Sequence, residues 1–183
     1  MTRYILVMLA ALAGTAAAQS KLDLTQRYLL LATSKTSTMQ KELDEAAAGG
    51  YRILVGSTTS SIEMAVLLEK VDDPAGKYKY QLLATTKTST MQKELDEAAV
   101  EGFHIVPSTM IEKKGMLSNE IVLVLEKAPG KGQHYKYMLL ATNRTGTMQK
   151  EISDAVGKGF KLLGMARGEH VVILEGPAEG GGK

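Results

Sequence analysis

The stretch Lys35-Thr36-Ser37-Thr38-Met39-Gln40-Lys41-Glu42-Leu43-Asp44-Glu45-Ala46-Ala47 recurs letter for letter from Lys87 to Ala99, and a diverged third copy runs from Arg144 to Val156. Each copy follows the same Leu-Leu-Ala-Thr, at Leu30 to Thr33, Leu82 to Thr85 and Leu139 to Thr142. The second and third also open on Tyr-Lys-Tyr, at Tyr78 to Tyr80 and Tyr135 to Tyr137, where the first has Gln26-Arg27-Tyr28. Identity over 13 residues does not arise by chance, so the chain is a tandem repeat whose unit must be read first.

Within a unit, Met39, Leu43, Ala46 and Ala47 fall at i, i+4, i+7 and i+8, one face of a helix, while Lys41, Glu42, Asp44 and Glu45 fall on the other. The helix is predicted to begin near Ser37 or Thr38. Ser37 with Gln40, and Ser89 with Gln92, have capping-box spacing; Gly146 takes that place in the third unit. Gly50, Gly102 and Gly159, each followed by an aromatic residue, mark the helix ends.

Before the helix lies a strand, predicted over Tyr28 to Thr33, Tyr78 to Thr85 and Tyr135 to Thr142, rich in residues that suit a pleated surface. A second strand follows over Arg52 to Gly56, His104 to Pro107 and Lys161 to Met165. The third is the most apolar, at Met64 to Leu68, Ile121 to Leu125 and Val171 to Leu174, and its continuous aliphatic runs predict burial on both faces.

The fold class is therefore α+β: three tandem βαββ units, each a three-stranded antiparallel sheet in order 1-3-2 covered by one helix. A unit of about 45 residues has little core of its own, so the sheets should pack on one another. A closed, pseudo-threefold arrangement is expected first and an extended row second. The units span residues 26–70, 77–127 and 134–176, joined by short Pro- and Gly-containing segments, with a flexible Gly-rich tail at 177–183.

Arg3, the apolar run Ile5 to Leu12 and Ala16-Ala17-Ala18 read as a signal peptide over residues 1–18, cleaved before Gln19. The apolar run is far shorter than the ~20 residues of a spanning helix. The expected location is periplasmic or secreted, with no transmembrane segment. The formal charge of +2 argues against a nucleic-acid partner. The absence of cysteine removes thiol catalysis and thiolate metal sites.

The Tyr-x-Tyr strand, the helix ending in Glu-Gly-aromatic (Glu101-Gly102-Phe103) and the final strand ending in Leu125-Glu126-Lys127 resemble a small bacterial domain family of unknown function built from βαββ modules. The element order is also similar to the dodecin-like fold, including periplasmic proteins with one to three such modules. The resemblance implies a fold and an envelope location and carries no catalytic residue.

The sharpest chemical candidate is the loop leading into each helix. Lys35, Thr36 and Thr38, then Lys87, Thr88 and Thr90, then Arg144, Thr145 and Thr147 place a basic side chain and hydroxyls beside free helix N–H groups. That combination can bind phosphate, sulfate or carboxylate. Plain helix capping with a solvated basic residue is the competing reading.

His104, His134 and His170 lack helical metal-site spacing, so no metal site is expected. No nucleophile motif, P-loop or dinucleotide fingerprint is present, and neither an enzymatic activity nor a cofactor is expected. The sequence thus points to a non-enzymatic binding or interaction protein of the cell envelope, contacting a protein or an anionic polymer. The alternative is a small-ligand or cofactor carrier with its ligand between the units.

Overall fold

The computed structural model describes residues 22–59, 62–72, 77–114, 119–130, 135–166 and 171–177. The expected leader, most of the tail, the turn around Arg167, and His134 and His170 lie outside these residues. Unit 1 contains β1 (Tyr28–Thr33), α1 (Thr36–Ala48), β2 (Tyr51–Thr58) and β3 (Met64–Lys70). Unit 2 contains β4 (Lys79–Thr85), α2 (Thr88–Val100), β5 (His104–Ile105), a 3-10 turn (Pro107–Thr109), β6 (Ile111–Lys113) and β7 (Glu120–Lys127). Unit 3 contains β8 (Tyr135–Ala141), α3 (Thr145–Gly157), β9 (Lys161–Ala166) and β10 (Val171–Pro177).

The sheets run β1-β3-β2, β4-β7-β5 with β6 also on β7, and β8-β10-β9, every pairing antiparallel. Units 1 and 3 show the 1-3-2 order read from the repeat, and in all three sheets the most apolar strand is central; the sheet of unit 2 has four strands rather than the expected three. The helices end as expected: Gly50, Gly102 and Gly159 take φ of 84°, 84° and 88°. In units 2 and 3 the amide of the following Phe bonds back to Ala98 (2.9 Å) and Ala155 (3.1 Å), closing a Schellman turn.

The helix starts differ from the sequence reading. The first helical residues are Thr36, Thr88 and Thr145, and the N-caps are Lys35, Lys87 and Arg144, none with a side-chain cap bond. The threonine of Leu-Leu-Ala-Thr does local work instead. Thr33, Thr85 and Thr142 accept the N-cap amides at 3.2, 3.1 and 3.2 Å.

The second strand of unit 2 is also broken where a continuous run through Pro107 was expected. At the same register in units 1 and 3, a bulge falls at Leu54 and at Leu163. Proline has no amide to donate, so in unit 2 the chain leaves the sheet there. The Thr109 hydroxyl takes over the strand's role, accepting the Val124 amide at 3.0 Å and donating to the Val106 carbonyl at 2.7 Å.

The units share cores. One cluster joins the front of sheet 1 (Leu29, Leu31, Val66, Leu68), the inner face of α1 and, from the back of sheet 2, Tyr80, Val122 and Val124. A second joins the front of sheet 2, α2 and, from the back of sheet 3, Tyr137, Val171 and Ile173. A third and smaller one lies between sheet 3 and α3. Each helix of units 1 and 2 therefore sits in the wedge between its own sheet and the next.

The closed threefold packing is not formed. Sheet 1 turns its back to solvent, with Tyr28, Leu30 and Val55 exposed. The expectation of a central strand buried on both faces holds for β7 and β10. In β3 only Met64, Val66 and Leu68 are buried, because among the described residues no other unit covers the other face.

Candidate functional site

The chain's most repeated geometry is the joint between units. At the first joint the Gln40 amide, projecting from α1, grips the open edge of β4. Its Nε2 donates to the Tyr80 carbonyl at 2.9 Å, and its Oε1 accepts the Leu82 amide at 2.8 Å. The second hydrogen on Nε2 goes to Asp44, also at 2.9 Å. Gln92 repeats this on β8, bonding Tyr137 (3.0 Å), Leu139 (2.8 Å) and Asp96 (2.9 Å). One side-chain amide mimics a strand and satisfies an edge that would otherwise be exposed.

A tyrosine completes each joint. The Tyr80 hydroxyl accepts the Ile53 amide from the edge of β2 at 3.2 Å, and Tyr137 accepts the Ile105 amide at 3.1 Å. Burial pushes both phenols well above their ordinary pKa, so they stay protonated.

Charge then fixes the first joint. Arg52 forms a two-bond fork on the buried Glu126 carboxylate, at 2.8 and 3.1 Å, with its guanidinium 4.9 Å from the Tyr78 ring centre. At the equivalent place in the second joint, His104 meets Tyr135 edge-on at 4.4 Å. The 3-10 turn of unit 2 packs into the same seam. The Ser108 hydroxyl bonds the bulged Leu54 carbonyl at 2.9 Å. The Thr109 backbone lies so near Gly56 that a Cβ there would sit 3.1 Å from it.

Sequence reasoning assigned Gln40 and Gln92 to capping boxes; the structure gives them to the neighbouring unit. The signal was present in the repeat itself. The glutamine persists in the third copy as Gln149, whereas Ser37 and Ser89 give way to Gly146.

Of the predicted anion residues, Lys35, Lys87 and Arg144 stand exposed at their helix starts, one per unit. The structure does not gather the three into one site. Thr36, with Ser37 and Gln40, lines a cleft of about 270 Å³ between α1 and β4, whose lining also includes Glu94 of α2. Thr38 and Thr90 are half-buried, and Thr147 is exposed. Thr88 and Thr145 occupy the first helical positions of α2 and α3.

Among the described residues no group of three or more His, Asp or Glu side chains is placed to hold a metal, and no helix is long and apolar enough to cross a membrane. The chain matches no family model, no curated protein and no solved structure.

Proposed function

We propose that this chain is a non-enzymatic interaction protein of the cell envelope, exported by the leader read at residues 1–18 and built from modules like those of the βαββ family it resembles. One observation carries the reading. The back face that units 2 and 3 bury against protein is presented to solvent by unit 1, through Tyr28, Leu30 and Val55. An apolar patch of this kind, on a fold that already uses it for protein contact, marks a protein-binding surface.

The test places a photo-cross-linking amino acid at Leu30 in the protein made by its own host. Illumination is expected to trap a protein adduct that the same amino acid at the exposed Lys41 does not. No adduct above that control overturns the reading.

Anionic polymers are a second class of contact. A basic N-cap opposes the helix dipole, which favours negative charge there, yet all three helices carry one. An anion bound at the uncapped N–H groups would turn that conflict into attraction. Titration with polyphosphate at low salt should show binding that the triple variant Lys35→Ala, Lys87→Ala, Arg144→Ala lacks; no binding by the parent refutes it.

The alternative, a small-ligand carrier, is favoured by the cleft at the first joint. Glu94 makes that cleft suited to a ligand that donates hydrogen bonds or carries positive charge. Neither role calls for a resident cofactor, and nucleic acid is not proposed as a partner.

A further inference from the structure

The three copies act as internal controls for one another, and among the described residues they show half of a joint left open in unit 1 and the other half left open in unit 3. Tyr80 and Tyr137 are 4% and 3% exposed; their register partner in unit 1, Tyr28, is 50% exposed. On the opposite half of the joint, Ile53 and Ile105 are 7% and 5% exposed, while the equivalent Leu162 of unit 3 is 57% exposed. Gln40 and Gln92 each grip a neighbouring strand, whereas Gln149 reaches, among the described residues, only Ser153 of its own helix, at 3.4 Å. Among the described residues, unit 1 thus carries the receiving half of a joint with nothing on it, and unit 3 the gripping half with nothing to hold.

We infer that a second copy of this chain fills both gaps, α3 and β9 of one molecule docking on β1 and the back of sheet 1 of the next, with Gln149 spanning the Tyr28 carbonyl and the Leu30 amide as Gln40 spans Tyr80 and Leu82. This rests on the reading of the chain as an interaction protein and names its partner.

The occupant is set by continuity with the two joints already formed. The receiving residues are the same Tyr-x-Leu pair in all three units, and the gripping glutamine is the same residue. The charges agree as well. Lys161 occupies the register position of Arg52, and Glu69 that of Glu126, so the pair that locks the first joint would be remade between molecules with a lysine in place of the arginine. Glu69 meanwhile pairs with Arg27, whose side chain is three-quarters exposed and can yield.

Such a contact is heterologous, joining the tail surface of one molecule to the head surface of another. It closes into a ring if the repeated rotation allows and otherwise extends as a filament.

The test uses two end variants of the full protein, purified in the form its host produces. Leu30→Asp spoils the head and Leu162→Asp the tail; both residues are exposed, so the fold should be kept, and circular dichroism checks that it is. By light scattering after size exclusion, the parent is expected to exceed the monomer mass increasingly with concentration, and each variant alone to stay monomeric. An equimolar mixture of the two should give a species of twice the monomer mass, because one intact tail meets one intact head.

A parent that remains monomeric at every concentration overturns the inference. So does a Leu162→Asp variant that still dimerises alone, since that contact would be head to head. A monomeric parent combined with a trapped foreign protein at Leu30 would remove self-association and leave the interaction reading standing. A protein that neither associates nor traps anything would remove both.

Discussion

The Tyr80 hydroxyl accepts the backbone amide of Ile53 across the boundary between two units, at 3.2 Å. Ile53 is on the edge of its sheet, so this phenol stands where a further strand would have been. Removing the hydroxyl leaves a buried amide without an acceptor, which typically destabilises by about 1–3 kcal/mol. Tyr80→Phe should therefore lower the unfolding midpoint in denaturant. Tyr28→Phe, at the same register but solvated, should stay within about 0.5 kcal/mol of the parent. Equal losses from the two would show that the tyrosine matters through its ring.

The glutamine clamp makes a parallel prediction. Gln92→Ala removes both bonds to the edge of β8 and opens space beside α2. A loss of about 1–3 kcal/mol is expected from the unpaired amide and carbonyl. Gln149→Ala, measured in dilute protein, should be close to neutral. Hydrogen exchange should locate the difference, with the Leu139 amide losing protection in the first variant only.

What the sequence carried, and what it hid, divides along the line between local and long-range causes. The strand order follows from one covalent fact: a helix links the first two strands and a turn links the next two, so the apolar third strand fits between them. The helix ends follow from Gly50, Gly102 and Gly159, because glycine adopts positive φ readily. The joints had no such local cause. Ser37-x-x-Gln40 has capping-box spacing whether or not the glutamine turns back to the helix start, and only the position of β4 decides that it does not. The open stack was hidden for the same reason. Met64 to Leu68 reads like Ile121 to Leu125, yet on its outer face Ala65 and Leu67 are only half-buried, because among the described residues no neighbouring unit packs there. The candidate anion residues were visible as three equivalent basic N-caps; Glu94, which lines the same cleft as Thr36, comes from a different helix and could not be placed by spacing.

Glu175 gives the chain a pH dependence of definite sign. Burial raises its pKa above the ordinary value of 4.5, against the lowering effects of a hydrogen bond from Tyr137 and of the Lys161 charge. Between the ordinary and the raised value the folded chain holds more protons than the unfolded one. The group's contribution to stability is thus fully present below pH 4.5 and is lost as pH rises through the raised value. Glu175→Gln, which cannot ionise, should be more stable than the parent at neutral pH, and the gap should close on acidification. Denaturant midpoints for both proteins across that window check it; a variant weaker at neutral pH would mean that Tyr137 and Lys161 hold the ionised form more firmly than burial opposes it.

Gln81 breaks the pattern of its own repeat. Its register partners are Leu29 and Met138, both apolar, and Leu29 is buried in the core of unit 1. The Gln81 Oε1 is buried and has no hydrogen-bond partner among the described residues. An acceptor left this way gives up its hydration without return, typically by about 1–3 kcal/mol. Leucine is close to glutamine in size, so Gln81→Leu should remove the orphaned oxygen, add apolar contact on the side facing α2 and leave no cavity. A gain of about 1–2 kcal/mol is expected, seen as a higher urea midpoint at unchanged slope. The joint to unit 1 should be untouched, because Tyr80 and Leu82 alternate with Gln81 and point to the opposite face. A lower midpoint would show instead that the amide nitrogen of Gln81 holds unit 2 together by more than its oxygen costs.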